Sequence, residues 1–187
     1  TYTVNVTGAD DAPIVTLDAA GSSVDNTATF TEVDGTDDGS AAVSFVTSGT
    51  SLADVDSATL ASLTVSLAEA SIESGDELLL DSTTIDLNNL TFNPVEVTYG
   101  ATVFEYEVTS DSTNTLVTFT SLNGAGGSAT AASKADYESL LDALAFNSTS
   151  DTFTDNSTRE FSVVVNDGTD NSAAATFTVT MNATNDK

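Results

Sequence analysis

Apolar and polar residues alternate along most of this chain, in short runs of Thr, Val, Phe and Leu broken by Gly, Asp, Asn and Ser. Period-two alternation puts successive side chains on opposite faces of an extended segment, so each run reads as a half-buried strand and each break as a turn. Strands are expected over 1–7, 13–18, 27–32, 41–47, 59–68, 76–80, 95–99, 102–109, 115–121, 159–166 and 173–182. So many short strands separated by turns point to an all-β sandwich. The first and last runs are one pattern written twice: Tyr2, Val4 and Val6 lead to Asp10-Asp11, and 175 positions later Phe177, Val179 and Met181 lead to Asn185-Asp186. The chain therefore reads as cut from a tandem array, with 1–12 a terminal strand and linker homologous to 176–187, and 13–187 a single module.

One segment changes period. Ser133-Lys134-Ala135-Asp136 has the form of a capping box with Asp in place of Glu, and Tyr137, Leu140, Leu141 and Leu144 follow at helical spacing. A short amphipathic helix is expected over about 134–144, its apolar face closing one end or edge of the sandwich. The middle of the chain is less determined: Asp81 to Asn89 is compatible with a turn, a bulge or an additional loop. Asn123-Gly124-Ala125-Gly126-Gly127-Ser128 reads as a flexible loop, since it lacks the strand-to-helix context of a nucleotide-binding loop.

Composition narrows the chemistry. With 187 residues, 40% of them apolar, the chain is long enough for a sizeable core. No run approaches the ~20 apolar residues of a membrane span, and no basic-then-apolar signal segment opens the chain. A soluble fragment is expected, monomeric, with no membrane insertion and any targeting signal outside it. The 29 acidic residues against 3 basic ones give a formal net charge of −26, which excludes nucleic acid as a partner because phosphate binding needs cationic side chains. Cysteine and histidine are both absent, which removes disulfides, thiol nucleophiles and soft-metal sites. Carboxylates at this density repel one another unless cations bind or water screens them, and calcium, which takes oxygen ligands, is the natural candidate cofactor.

The acids concentrate in expected connections: Glu32 to Asp38, Asp54-Val55-Asp56, and Asn166 to Asn171. Glu105 and Glu107 share one face of a strand, a spacing conceivable for paired-carboxylate hydrolysis. Nothing around them would raise one pKa selectively, so the chain is read as no enzyme.

Several phrases then resemble one family when taken in order. Asp11-Ala12-Pro13, Phe30-Thr31-Glu32, Leu52 to Leu60, Asp136-Tyr137-Glu138 leading to Leu144-Ala145-Phe146-Asn147, and Phe161 to Gly168 resemble the cadherin-like repeats of giant bacterial surface adhesins of the repeats-in-toxin class. The resemblance implies an extracellular, calcium-dependent Greek-key sandwich at the bacterial cell surface, its partners the neighbouring modules of the same chain. It places calcium ligands at Asp10, Asp11, Glu32, Asp54, Asp56, Asp167, Asp170, Asn185 and Asp186; for Asp167-Gly168 an ordinary hairpin turn stays open. The repeat is longer than the plain extender modules of such adhesins, and insertions on a sandwich are where binding loops are grafted. A module of the ligand-binding region is therefore expected, attaching to a peptide or glycan on another cell, surface or biofilm, with Asp34, Asp37, Asp38, Asp86, Asn88 and Asn123 as candidate contacts. The alternative is a purely structural extender stiffened by calcium. Tyr99, Tyr106 and Tyr137 read as core or rim rather than as stacking platforms for sugars.

Overall fold

The computed structural model describes residues 3, 8–21, 23–32, 41–150, 154 and 156–184. Within them the chain forms β1 (Ile14–Thr16), β2 (Asn26–Thr31), β3 (Val43–Ser44), β4 (Ser51–Ala53), β5 (Thr59–Leu60), β6 (Ser62–Ala68), a 3-10 turn at Glu69–Ser71, β7 (Asp76–Leu80), β8 (Thr83–Asp86), β9 (Val95–Tyr99), β10 (Thr102–Ser110), β11 (Asn114–Leu122), β12 (Ala129–Thr130), β13 (Ala132–Ser133), α1 (Lys134–Ala143), β14 (Leu144–Ser148), β15 (Thr158–Asn166) and β16 (Ala175–Asn182). The expected strand over 1–7 lies outside the described residues apart from Thr3, as do Asp34, Asp37, Asp38, Asn185 and Asp186.

The architecture is an all-β sandwich with one short helix. Its larger sheet runs β2-β16-β15-β6-β11-β10-β9, with β12 added to β11; the smaller runs β3-β14-β7-β8. Alternation explains the layering. Leu63, Val65 and Leu67 of β6, Phe104, Tyr106 and Val108 of β10, Val117 and Phe119 of β11, and Phe161, Val163 and Val165 of β15 all face inward and are buried. The intervening residues, such as Thr64 and Thr118 with hydroxyls 3.2 Å apart, form the outer face. Phenylalanines bridge the two sheets: Phe146 of β14 lies 5.5 Å from Phe161 of β15 by ring centroid, and Phe45 lies 4.5 Å from Phe177 of β16. Truncating such a ring to Ala costs about 3–5 kcal/mol.

The middle of the chain extends the larger sheet. β9, β10 and β11 continue the larger sheet beyond β6 through full antiparallel registers. Residues 83–86, within the undetermined stretch, pair with β7 as β8, after a turn in which Asp81 takes φ 54°.

The helix forms as its signals predict. Ser133 Oγ accepts from Asp136 N–H at 3.2 Å, and the Asp136 carboxylate accepts from Ser133 N–H at 3.2 Å, a reciprocal cap. The Ser133 hydroxyl, with Thr102 and the Ser133 N–H behind it, holds Asp136 below its usual pKa. Tyr137, Leu140 and Leu141 are buried, and the Tyr137 ring meets Phe104 edge-on at 5.3 Å. Tyr137 Oη donates to Ala61 O at 2.9 Å, which makes it a core residue, and burial raises its pKa. On the other flank of α1, Glu138 accepts from Leu52 N–H at 2.8 Å and Asp142 from Thr50 N–H at 2.8 Å, tying β4 to the helix. α1 ends at Ala143 because Leu144 turns extended, with φ −73° and ψ 134°, and opens β14.

One buried ion pair crosses between the sheets. Arg159 on β15 and Asp76 on β7 are 2% and 0% exposed, with Nε 2.6 Å from Oδ2. Glu73 adds a second carboxylate, 3.2 Å from Arg159 Nη2.

Candidate metal centre

The expected calcium residues sort to the two ends of the larger sheet. At the leading end, Asp54 follows β4 and folds its own loop: its Oδ1 accepts from the N–H groups of Asp56 at 3.1 Å and Ser57 at 2.8 Å. This is an Asx turn, in which a short carboxylate substitutes for a backbone acceptor. The carbonyls of Asp54 and Ser57 turn the other way and accept from Lys134 Nζ at 2.9 and 2.8 Å. The linker before β1 docks here, Asp11 N–H donating to Asp56 Oδ2 at 3.2 Å. Asp10, Asp11, Asp54 and Asp56 therefore share one corner.

The electrostatics of that corner are uneven. The Ser57 N–H chiefly holds Asp54 below its usual pKa, with Lys134 adding in the same direction. Asp56 is raised, first by desolvation, and further by the nearby negative charges of Asp10 and Asp54. Such an arrangement favours a cation or a proton.

Asp167 lies at the same end, in the turn after β15, whose last residue Asn166 pairs with Ser62 at the start of β6. Its Oδ1 accepts from Thr169 N–H at 2.7 Å and Asp170 N–H at 2.9 Å. Gly168 takes φ 111°, and a Cβ there would sit 4.0 Å from Ala61, so this turn packs beside the start of β6. Asp170 is exposed.

Glu32 is at the opposite end. β2 and β16 run parallel and finish together, Thr31 opposite Asn182, so Glu32 stands roughly 25 Å from the leading end by the strand rise of β16. It is only 6% exposed. Its Oε2 accepts from Thr184 N–H at 2.9 Å, and Thr184 Oγ1 donates to Glu32 O at 3.3 Å, which anchors the segment leading to Asn185 and Asp186.

Three of these side chains share a second property. Glu32 Oε1, Asp54 Oδ2 and Asp167 Oδ2 are buried with no hydrogen-bond partner, a property they share with Asp76 Oδ1, whose carboxylate already has Arg159 beside it. A buried carboxylate oxygen left unpaired is costly, and such atoms are the ones a hard cation would satisfy. The donor set fits such an ion, since it offers carboxylate and carbonyl oxygens and no thiolate or imidazole. Among the described residues, however, no group of three or more acidic side chains converges closely enough to form a cage. Each end offers part of a ligand set.

The candidate ligand contacts are not brought to one place. Asp86 and Asn88 lie together after β8, where Asp86 Oδ1 accepts from Asn88 N–H at 2.8 Å and Asn88 Nδ2 donates to Glu73 O at 2.9 Å. Asn88 lines a cleft of about 230 Å³ with Glu69, Ile72, Leu87, Leu90 and Thr115. Asn123 is at the other end of β11 from Thr115, in a loop whose Gly126 N–H donates to Glu96 Oε1 at 2.7 Å. Glu105 and Glu107 lie on the outer face of β10, with Glu96 directly across from Glu105.

Two participants went unread in the sequence. Lys134 organises the Asp54 loop from the first turn of α1, and its signal was being one of only three basic residues in the chain. Leu90 at the cleft carried no signal.

Compared with protein-family models, curated proteins and solved structures, the chain matches none.

Proposed function

We propose that this chain is a calcium-binding β-sandwich module of an extracellular bacterial surface adhesin. The observation that carries the reading is the trio of buried, unpartnered carboxylate oxygens on Glu32, Asp54 and Asp167, placed at the two ends where linkers dock. Asp10, Asp11, Asp54, Asp56 and Asp167 would hold calcium at the leading end, and Glu32 with Asn185 and Asp186 at the trailing end. Bound calcium neutralises the carboxylates and fixes each linker against its module. Successive modules would then share ligands at each joint, which fits the repetition of the strand and linker 175 positions apart.

Within such an adhesin, the cleft beside Asn88 favours a place in the ligand-binding region, attaching to a peptide or glycan on another surface. A spacer needs no cleft. The calcium reading is tested by melting the protein in excess chelator and in calcium, with titration calorimetry for stoichiometry. At ten times its dissociation constant each site adds about 1.4 kcal/mol, which is about 3–6 °C for a domain of this size. Asp54→Asn with Asp56→Asn should lower the stoichiometry by at least one. Identical melting curves with and without chelator would sink the proposal.

A further inference from the structure

Six large apolar side chains are exposed among the described residues, and three of them, Leu90, Phe92 and Val95, fall in or beside the one connection between β8 and β9. Phe92 is 98% exposed. The connection is nevertheless fixed. Thr91 N–H donates to Val108 O at 2.9 Å, and Val108 N–H donates to Thr91 Oγ1 at 2.9 Å, which pins the segment along the edge of β10.

The same connection forms one side of the 230 Å³ cleft through Leu87, Asn88 and Leu90, with Glu69, Ile72 and Thr115 completing it. The volume is below the ~300–1,000 Å³ of sites for drug-sized ligands, and suits one side chain. Glu69 is held in place because its Oε1 accepts from the Ser110 hydroxyl. The cleft thus combines aliphatic walls with a fixed carboxylate, and an exposed phenyl ring stands two residues beyond Leu90. Long cationic side chains match that combination: the methylene stem lies on apolar surface, the head pairs with a carboxylate, and a guanidinium also stacks on an aromatic face. The net charge of −26 draws basic partners and repels acidic ones. Beyond β10 from the cleft's Thr115, β9 ends the larger sheet and, among the described residues, pairs on one side only, with β10. A free sheet edge accepts an extended segment as an added strand.

We infer that the cleft between the Glu69–Ser71 turn and the β8–β9 connection binds an arginine or lysine side chain of an extended, basic segment of a partner polypeptide. This rests on the ligand-binding reading of the module and is independent of calcium.

The probe is a labelled peptide of alternating serine and arginine, with a twin in which citrulline, neutral and of the same shape, replaces arginine. Binding is read by fluorescence anisotropy and mapped by amide chemical shifts. The arginine peptide should shift residues 69–72, 87–92 and 115. Its affinity should drop about tenfold in Glu69→Gln, the scale of one charge-assisted hydrogen bond, and several-fold in Phe92→Ser. Citrulline should lose binding likewise. Diffuse attraction to an acidic protein would barely notice one carboxylate among 29, so equal affinity for wild type and both variants overturns the inference. Equal binding of the citrulline twin overturns it too. A neutral glycan binding in place of the peptide would leave the ligand-binding reading standing and this inference fallen; no binding of peptide or glycan would end both.

Discussion

Two regions of this molecule gather carboxylates, and they balance the charge in opposite ways. Between the sheets, Asp76 and Glu73 meet Arg159, a cation supplied by the chain and almost wholly buried. At the leading corner, Asp10, Asp11, Asp54 and Asp56 meet with no such partner: Lys134 spends its two hydrogen bonds there on carbonyl oxygens. The first region carries its own cation, although Asp76 Oδ1 is also buried without a hydrogen-bond partner. The second leaves its balance to the solution, so ions should change its stability while leaving the ion pair indifferent.

The largest expected effect breaks the first region. Arg159→Met leaves Asp76 buried and unpaired, and should cost about 3–5 kcal/mol in urea unfolding. Adding Asp76→Leu should recover most of that loss. A single-variant cost below about 1 kcal/mol would mean that the pair is not what balances Asp76.

A smaller effect separates the regions by sign. Asp56 binds its proton more tightly when folded, so its contribution falls as pH rises from the ordinary value of 3.8 through the higher native pKa. Asp54 behaves oppositely: its contribution is present above 3.8 and is lost as pH falls through its lower native pKa. In calcium-free buffer at neutral pH, Asp56→Asn should therefore melt higher than wild type, with the advantage gone below pH 3.8. In calcium the order should reverse, whereas Arg159→Met should lose equally in both. Scanning calorimetry across pH and calcium reads all of this.

The smallest effect concerns a third way of satisfying a carboxylate, by hydroxyl and N–H dipoles. Ser133→Ala should cost about 1 kcal/mol. Because the Ser133 hydroxyl is the chief cause of the lowered Asp136 pKa, that pKa should climb back toward 3.8 in a carboxyl NMR titration.

Alternation made β7, β9, β10, β11, β15 and α1 legible almost to their boundaries. Arg159 went unread although it shares the register that buries Phe161 and Val163, because a charged residue at the head of a strand gives no local sign of a buried partner. β14 was hidden because it begins on Leu144, the residue that completes the helical spacing, so no turn separates the two elements. β4 is three residues long and pairs with β1, more than thirty positions away, while Glu138 and Asp142 hold Leu52 and Thr50 from 86 and 92 positions away, contacts that no local pattern can signal. The expected strand over 59–68 breaks at Ala61, whose N–H pairs with Asn166 and whose carbonyl takes the Tyr137 hydroxyl. For the candidate site, motif spacing located the loops. That Asp11 reaches Asp56 while Glu32 stands at the far end follows from sheet topology, which spacing does not contain.

The parallel pairing of β2 with β16 has a mechanical consequence. Asn26 to Thr31 lie beside Phe177 to Asn182 in one direction, so a pull on the two chain ends slides these strands past each other and loads six residue pairs together. An antiparallel hairpin pulled from its open end would peel one pair at a time. Tension between the start of β2 and the end of β16 is therefore carried in shear, across all six pairs at once.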